Sequence, residues 1–246
     1  MSTRRAKQLI YGALYLVIIL IICAGIYGLF VSPAIVASAP PVCTPSTCVP
    51  TSTALIVPGA LTMFITSPGH YTFLAQATNQ SADYGAPELD YAIDLEDASG
   101  TLLQSIPAQA FVYPSQTRYV AVLNQVVAQP FDHAVLTITG ASWLTSSSMG
   151  TIPAVGPDQF AIQNVLPGTA STTISVGGQL VNTSVTTYSQ VIVMVIFKDP
   201  SGTPVGVSET QLGSVAAGTT QNFSVIYPNE PNVNPAVNQI LVYALR

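Results

Sequence analysis

Three carboxylates, Asp90, Asp94 and Glu96, fall at even spacings within LDYAIDLEDASG, Leu89 to Gly100. In an extended chain even spacing puts side chains on one face. Oxygen donors presented that way have the chemistry to hold Ca²⁺, and the alternative is a solvated strand face. Directly after them, Asp97, Ser99 and Gly100 have the preferences of a tight turn: an Asp first, a Gly fourth. The two histidines, His70 and His133, stand far apart, and a lone His on a loop or strand edge is more often solvated than a ligand. Nucleophile-elbow G-x-S-x-G, H-E-x-x-H, P-loop and EF-hand spacings are all missing. The expectation is therefore a protein that is not an enzyme, with no catalytic residues, cofactor or metal.

The elements that carry these residues must come from an unusual composition. Charged residues make up 7% of the 246, against roughly 25% in typical soluble domains, so the polar surface is built from Ser, Thr, Asn and Gln. That suits an extracytoplasmic β-rich protein. Arg4, Arg5 and Lys7 crowd the N-terminus, leaving Arg118, Lys198 and Arg246 against all 11 acids, a net of −8 after residue 7. No basic stripe remains to neutralise phosphates, which excludes nucleic acid as the expected partner.

Residues 9–31, LIYGALYLVIILIICAGIYGLFV, hold no charge. As a helix they would extend roughly 35 Å, enough for the ~30 Å hydrocarbon core of a bilayer. Tyr11, Tyr15 and Tyr27 lie towards the ends, where headgroups sit, and the basic residues before the span place the N-terminus in the cytoplasm. A transmembrane anchor is expected, with a stub at 1–8 and the remainder extracellular or periplasmic. The alternative is a cleaved leader, for which Ala37-Ser38-Ala39 is spaced suitably but Pro40 is not.

Residues 32–53 are rich in Pro and Ser/Thr and read as an extended linker. Within it Cys43 and Cys48 bracket Pro45, and in an oxidising compartment they most simply close a small disulfide loop. Free thiols are the alternative; a metal site would need further ligands nearby.

The rest of the chain repeats itself. AQATNQS from Ala75 answers GQLVNTS from Gly178, IDLEDASGTLL from Ile93 answers VIFKDPSGTPV from Val195, and PSQTRYVAVL from Pro114 answers AGTTQNFSVI from Ala217. Matching order, at offsets from 102 up to the 109 that separates Val57-Pro58-Gly59-Ala60 from Leu166-Pro167-Gly168-Thr169, means two copies of one domain of about 90 residues, 54–144 and 158–246, joined by 145–157. Alternation such as Leu89, Tyr91, Ile93, Leu95 gives strands with one buried face. The expected fold is all-β: two tandem Greek-key β-sandwiches behind one transmembrane α-helix. Asn79-Gln80-Ser81, Asn182-Thr183-Ser184 and Asn222-Phe223-Ser224 also match the N-glycosylation acceptor pattern.

The ordered features Val181-Asn182-Thr183-Ser184, then Val195 to Asp199, then Gly218-Thr219-Thr220, resemble the FxLYD domain and related CARDB-type immunoglobulin-like domains. The first copy keeps Asp97 but lacks the glycine at Ser115-Gln116-Thr117. The basic and apolar N-terminus with its Pro/Cys linker is similar to single-pass surface proteins of candidate-phylum bacteria. The resemblance implies immunoglobulin-like domains serving as an extracytoplasmic binding or spacer module, and it supplies no catalytic residues.

One feature of copy two lacks a counterpart. If Val191, Val193, Val195 and Phe197 face the core, then Ile192, Met194 and Ile196 point outward as an apolar stripe. Such a stripe needs cover. A partner chain, copy one, or a neighbouring element of its own domain would supply it; loops burying both faces of the strand are the alternative. The whole reads as a membrane-anchored binding or scaffold protein contacting a protein or surface polymer. A pilin-like filament subunit is the rival, disfavoured because Lys7-Gln8 stand where a prepilin cut wants a small residue.

Overall fold

The computed structural model describes residues 50, 52–149, 159–228 and 233–246. The chain divides into two units, 1–44 and 45–246, and all described residues belong to the second. The expected stub, apolar span and Cys43–Cys48 loop lie outside the described residues, as does most of the expected connection. Among the described residues no helix is long and apolar enough to cross a membrane.

What is described is all-β. The first copy contributes β1 (Ile56–Ser67), β2 (His70–Asn79), β3 (Tyr84–Glu96), β4 (Leu102–Val112), β5 (Thr117–Val126) and β6 (His133–Thr145). The second contributes β7 (Phe160–Thr169), β8 (Thr173–Asn182), β9 (Gln190–Lys198), β10 (Pro204–Leu212), β11 (Thr220–Pro228) and β12 (Asn234–Leu245). Sheets β1-β2-β5 and β4-β3-β6 form one sandwich, and β7-β8-β11 and β10-β9-β12 repeat its connectivity strand for strand. Every pairing is antiparallel. The residues between the copies do not begin as a loop: Ser146–Met149 form one helical turn, and Met149 is buried.

Period-two alternation builds each core. Leu89, Tyr91, Ile93 and Leu95 on β3 are buried, and Ile93 lies across from Ile106 on one side and Leu136 on the other. Phe73, Ala75, Val120 and Val122 close the cluster from the opposite sheet. In the second copy Val191, Val193, Val195 and Phe197 are fully buried among Ile174, Val176, Phe223 and Tyr227. The Phe197 and Tyr227 rings stack at 4.8 Å, directly over Gly206, where a Cβ would strike the Tyr227 ring.

The ends of each sandwich are pinned by a residue that the repeat writes twice. At the base, where β2 passes to β3, Asn79 is buried; its Nδ2 donates to the carbonyls of Tyr84 (2.7 Å) and Tyr113 (3.0 Å), and its Oδ1 accepts from Ser81 N–H (3.0 Å). Asn182 does the same in copy two, donating to Thr186, Val215 and Ala216 carbonyls and accepting from Ser184. A buried amide satisfied this way contributes about 1 kcal/mol per hydrogen bond and leaves orphaned carbonyls if removed. Both side chains are therefore structural plugs, and neither is accessible for glycosylation. Only Asn222 of the three acceptor-like positions is exposed.

At the opposite end, the tip, Asp97 Oδ1 accepts from Ser99 N–H (2.8 Å), Ser99 Oγ (2.6 Å) and Thr101 N–H (2.9 Å), and Gly100 takes φ +82°. Asp199, Ser201, Thr203 and Gly202 (φ +87°) repeat the turn with the same three distances. Ser99 and Ser201 hold both carboxyls below the usual carboxylate range by hydrogen bonding to the charged form.

Candidate functional site: the junction between the two sandwiches

The apolar stripe of β9 is covered from within the chain. Met194 and Ile196 are 1% and 2% exposed, and Ile192 packs beside them. Their sheet neighbours continue the face: Val207 lies opposite Ile196 on β10, and Leu241 and Tyr243 lie opposite Met194 and Ile192 on β12. Onto this face comes the outer side of β1-β2-β5 from copy one, through Phe64 and Leu74 with Tyr119, Ala121 and Leu123 of β5. Phe111 and Tyr113, where β4 ends, and the buried Met149 complete a third apolar cluster between the two cores. The order of layers is thus β4-β3-β6, first core, β1-β2-β5, junction, β10-β9-β12, second core, β7-β8-β11.

Polar groups fix the alignment. Tyr113 Oη donates to the carbonyl of Ala244 (3.1 Å), and Tyr119 N–H donates to Tyr243 Oη (3.0 Å). Both bonds join base to base, so the tips of the two sandwiches lie at the same end. Burial pushes the Tyr113 hydroxyl up to about 12 and also raises that of Tyr243. Both hydroxyls remain protonated, Tyr113 donating and Tyr243 accepting across the junction.

Arg118 is the residue that sequence reasoning missed. It shares inward parity with Val120 and Val122 on β5 and is 3% exposed. Its guanidinium lies 3.9 Å from the Phe111 ring centre and 4.4 Å from that of Tyr243, one ring from each copy, and donates to the Phe111 carbonyl (2.6 Å). Its Nε has no hydrogen-bond partner among the described residues. Burial lowers its pKa to about 10, so it stays charged at neutral pH and is stabilised by the two aromatic faces. Across the junction Glu209, opposite Met194 on β10, is raised by burial, with Arg118 pulling it back down. A lone cation at a core-parity position between Thr117 and Tyr119 was the available signal; copy two has Gln221 there.

The opening carboxylates lie on the far side of copy one, on the outer face of β4-β3-β6. Each has a partner of its own: Asp90 accepts from Gln109 (2.8 Å), Asp94 from Ser105 (2.5 Å), and Glu96 meets His133 Nε2 at 2.9 Å. His133 Nδ1 also faces Asp132 at 3.3 Å, and these acids, Asp132 foremost, raise its pKa above 6.5. His70 pairs with Asn124 Oδ1 at 3.2 Å. Among the described residues no group of three or more His, Cys, Asp or Glu could hold a metal ion. A cleft of about 260 Å³ opens at the base of the junction, between Glu88 and Gln109 of copy one and Gln190 and Ile192 of copy two. No nucleophile and base come together in it.

No protein-family model and no curated protein matches this chain.

Proposed function

We propose that this is a membrane-anchored, extracytoplasmic scaffold whose two immunoglobulin-like, FxLYD/CARDB-type domains act as one rigid head for contacts with a protein or surface polymer of the cell envelope. The junction carries this proposal. Two sandwiches joined by a linker alone would reorient freely, whereas an apolar layer with a caged arginine and two cross-copy hydrogen bonds holds them as a unit. Rigid presentation lowers the entropic cost of engaging a partner.

The geometry of the ends supports the same proposal. The chain enters copy one at the base, where Gln80 N–H bonds the Leu55 carbonyl, and the hairpin tips of both copies lie at the other end. Leu102, Leu103 and Val126 stand exposed near the tip of copy one. The anchor itself rests on the uncharged run 9–31 and the basic residues before it.

In-cell crosslinking of the full chain followed by mass spectrometry tests the proposal. Crosslinks from tip residues to envelope components are expected. If a membrane-impermeant reagent labels Lys198 only after lysis, the extracytoplasmic location is wrong. Mass spectrometry of the native N-terminus separates the rival: a cut near Lys7 would favour the pilin-like subunit.

A further inference from the structure

The junction joins unlike faces of a repeated unit. Copy one contributes the outer face of its β1-β2-β5 sheet, and copy two the outer face of β10-β9-β12, the counterpart of β4-β3-β6. An interface between unlike faces of equivalent units is heterologous, and repeating it from molecule to molecule builds an open stack unless something stops it. Each chain still has one face of each kind free: the outer side of β4-β3-β6 and the outer side of β7-β8-β11. Propagation would seat the first of these on the second in the next molecule.

We propose that both free faces are stack terminators, so that the four-sheet body limits itself to a single chain. The strand registers make the comparison residue by residue. Where the junction has Ile192, Met194 and Ile196, the free face of copy one has Asp90, Ala92 and Asp94, aligned by the shared Asp97/Asp199 turns. Its neighbours on β4 are Ser105, Pro107 and Gln109 in place of Val207, Glu209 and Gln211. Where the junction has Phe64, Leu74, Tyr119, Ala121 and Leu123, the free face of copy two has Gly168, Gly177, Asn222, Ser224 and Ile226.

The two substitutions work differently. On copy one, stacking would bury carboxylates without cations, since β7-β8-β11 offers no Lys or Arg to meet them. On copy two, small and polar side chains replace the knobs that fill the junction, so an incoming sheet finds little apolar area to cover. Among the described residues, Val165, Leu166 and Ile226 are the large apolar groups left exposed on that sheet, at 42%, 72% and 58%. Gly177 is an open position: a Cβ on it would meet nothing closer than 3.6 Å. Its glycine is not demanded by crowding.

Sedimentation velocity on the full chain in detergent tests this. Wild type is expected to give one species whose sedimentation coefficient does not change over about two decades of concentration. A double graft restores both faces: Asp90→Ile, Ala92→Met and Asp94→Ile on one, Gly177→Leu, Asn222→Tyr and Ser224→Ala on the other. It should assemble beyond dimers, with a coefficient that climbs across the same range. Assembly that stops at a dimer, a folded graft that stays a single species, or a wild type that already stacks through these faces would each overturn the proposal. Should the full graft misfold by circular dichroism, the isosteric pair Asp90→Asn and Asp94→Asn in the second graft's background replaces it. There a coefficient that does not rise with concentration counts against charge as the terminator.

Discussion

Asp94 and Ile196 hold the same place in two copies of one strand, and their surroundings have nothing in common. Asp94 lies on an exposed face, bonded to Ser105 and beside Val135 on β6, while Ile196 is sealed between Val207 and the sheet of copy one. The inner faces of these strands, by contrast, agree closely: Leu89 to Leu95 and Val191 to Phe197 are buried alike. A sandwich core demands the same of both copies, so inner positions stay apolar. Outer positions answer only to whatever lies across from them, and there the copies diverge in opposite directions.

The sharpest way to break the comparison is to exchange the two residues. Ile196→Asp buries a carboxylate with no partner and should cost about 4 kcal/mol or more, whereas Asp94→Ile should change stability by less than about 1 kcal/mol. Urea unfolding midpoints measure both. The chain's one tryptophan, Trp143, belongs to the core of copy one and reports on that copy alone. If the junction couples the sandwiches, Ile196→Asp in copy two also lowers the midpoint seen by Trp143 fluorescence; an unmoved Trp143 transition would mean independent domains.

The plugs at the base differ in degree rather than kind. Asn182 satisfies three carbonyls and a serine, Asn79 two carbonyls and one N–H. Asn182→Ala should therefore destabilise by about 3 kcal/mol and Asn79→Ala by about 2, each read from equilibrium unfolding. Equal losses would show that the hydrogen bonds beyond those the two share contribute little.

Arg118 distinguishes the copies by chemistry. Arg118→Ala removes two cation–π contacts and packing at the junction, and about 2 kcal/mol is expected. Arg118→Met keeps most of the volume without a buried charge, so a loss below about 1 kcal/mol is expected. If Met costs as much as Ala, the charge itself is what holds the junction. A protease site inserted at 150–158 and cut after folding gives a further check, since the two fragments should still elute together.

The smallest effects come from exposed titrating groups. His133 gains Asp132 and Glu96 only in the folded state, so its folded pKa is raised. Its contribution is complete below 6.5 and is lost as pH rises through the folded value. The Trp143 transition should therefore soften slightly as pH rises through that value, and His133→Gln should abolish that slope. Asp97 and Asp199 are lowered, so their contributions are present above 3.8 and lost as pH falls through the folded values. Both copies should soften together in acid, in far-UV circular dichroism melts.

Much of this was legible from residues alone. The turn at Asp97 is written again at Asp199, and a motif that recurs with Ala98 exchanged for Pro200 is specified by its Asp, Ser and Gly. Strand parity marked which residues face each core, and the repeat marked which outer positions were anomalous. The Asn-x-Ser pairs were visible as well, but their burial was not, because a sugar acceptor and an Asx plug share the same letters. Arg118 escaped notice for a related reason: nothing local places Phe111 and Tyr243, 132 residues apart in the chain, on either side of it.

Local chemistry thus determined the strands, their inner faces, the twin turns and the presence of an apolar stripe needing cover. Only the tertiary structure decided what covers it. Period-two alternation says which way a side chain points but carries no information on what lies across from it, and several surfaces could have buried the same area. The choice of the outer face of β1-β2-β5 depends on Phe64, Leu74 and Leu123 meeting at one place from three strands. That complementarity exists only once the sheet has formed.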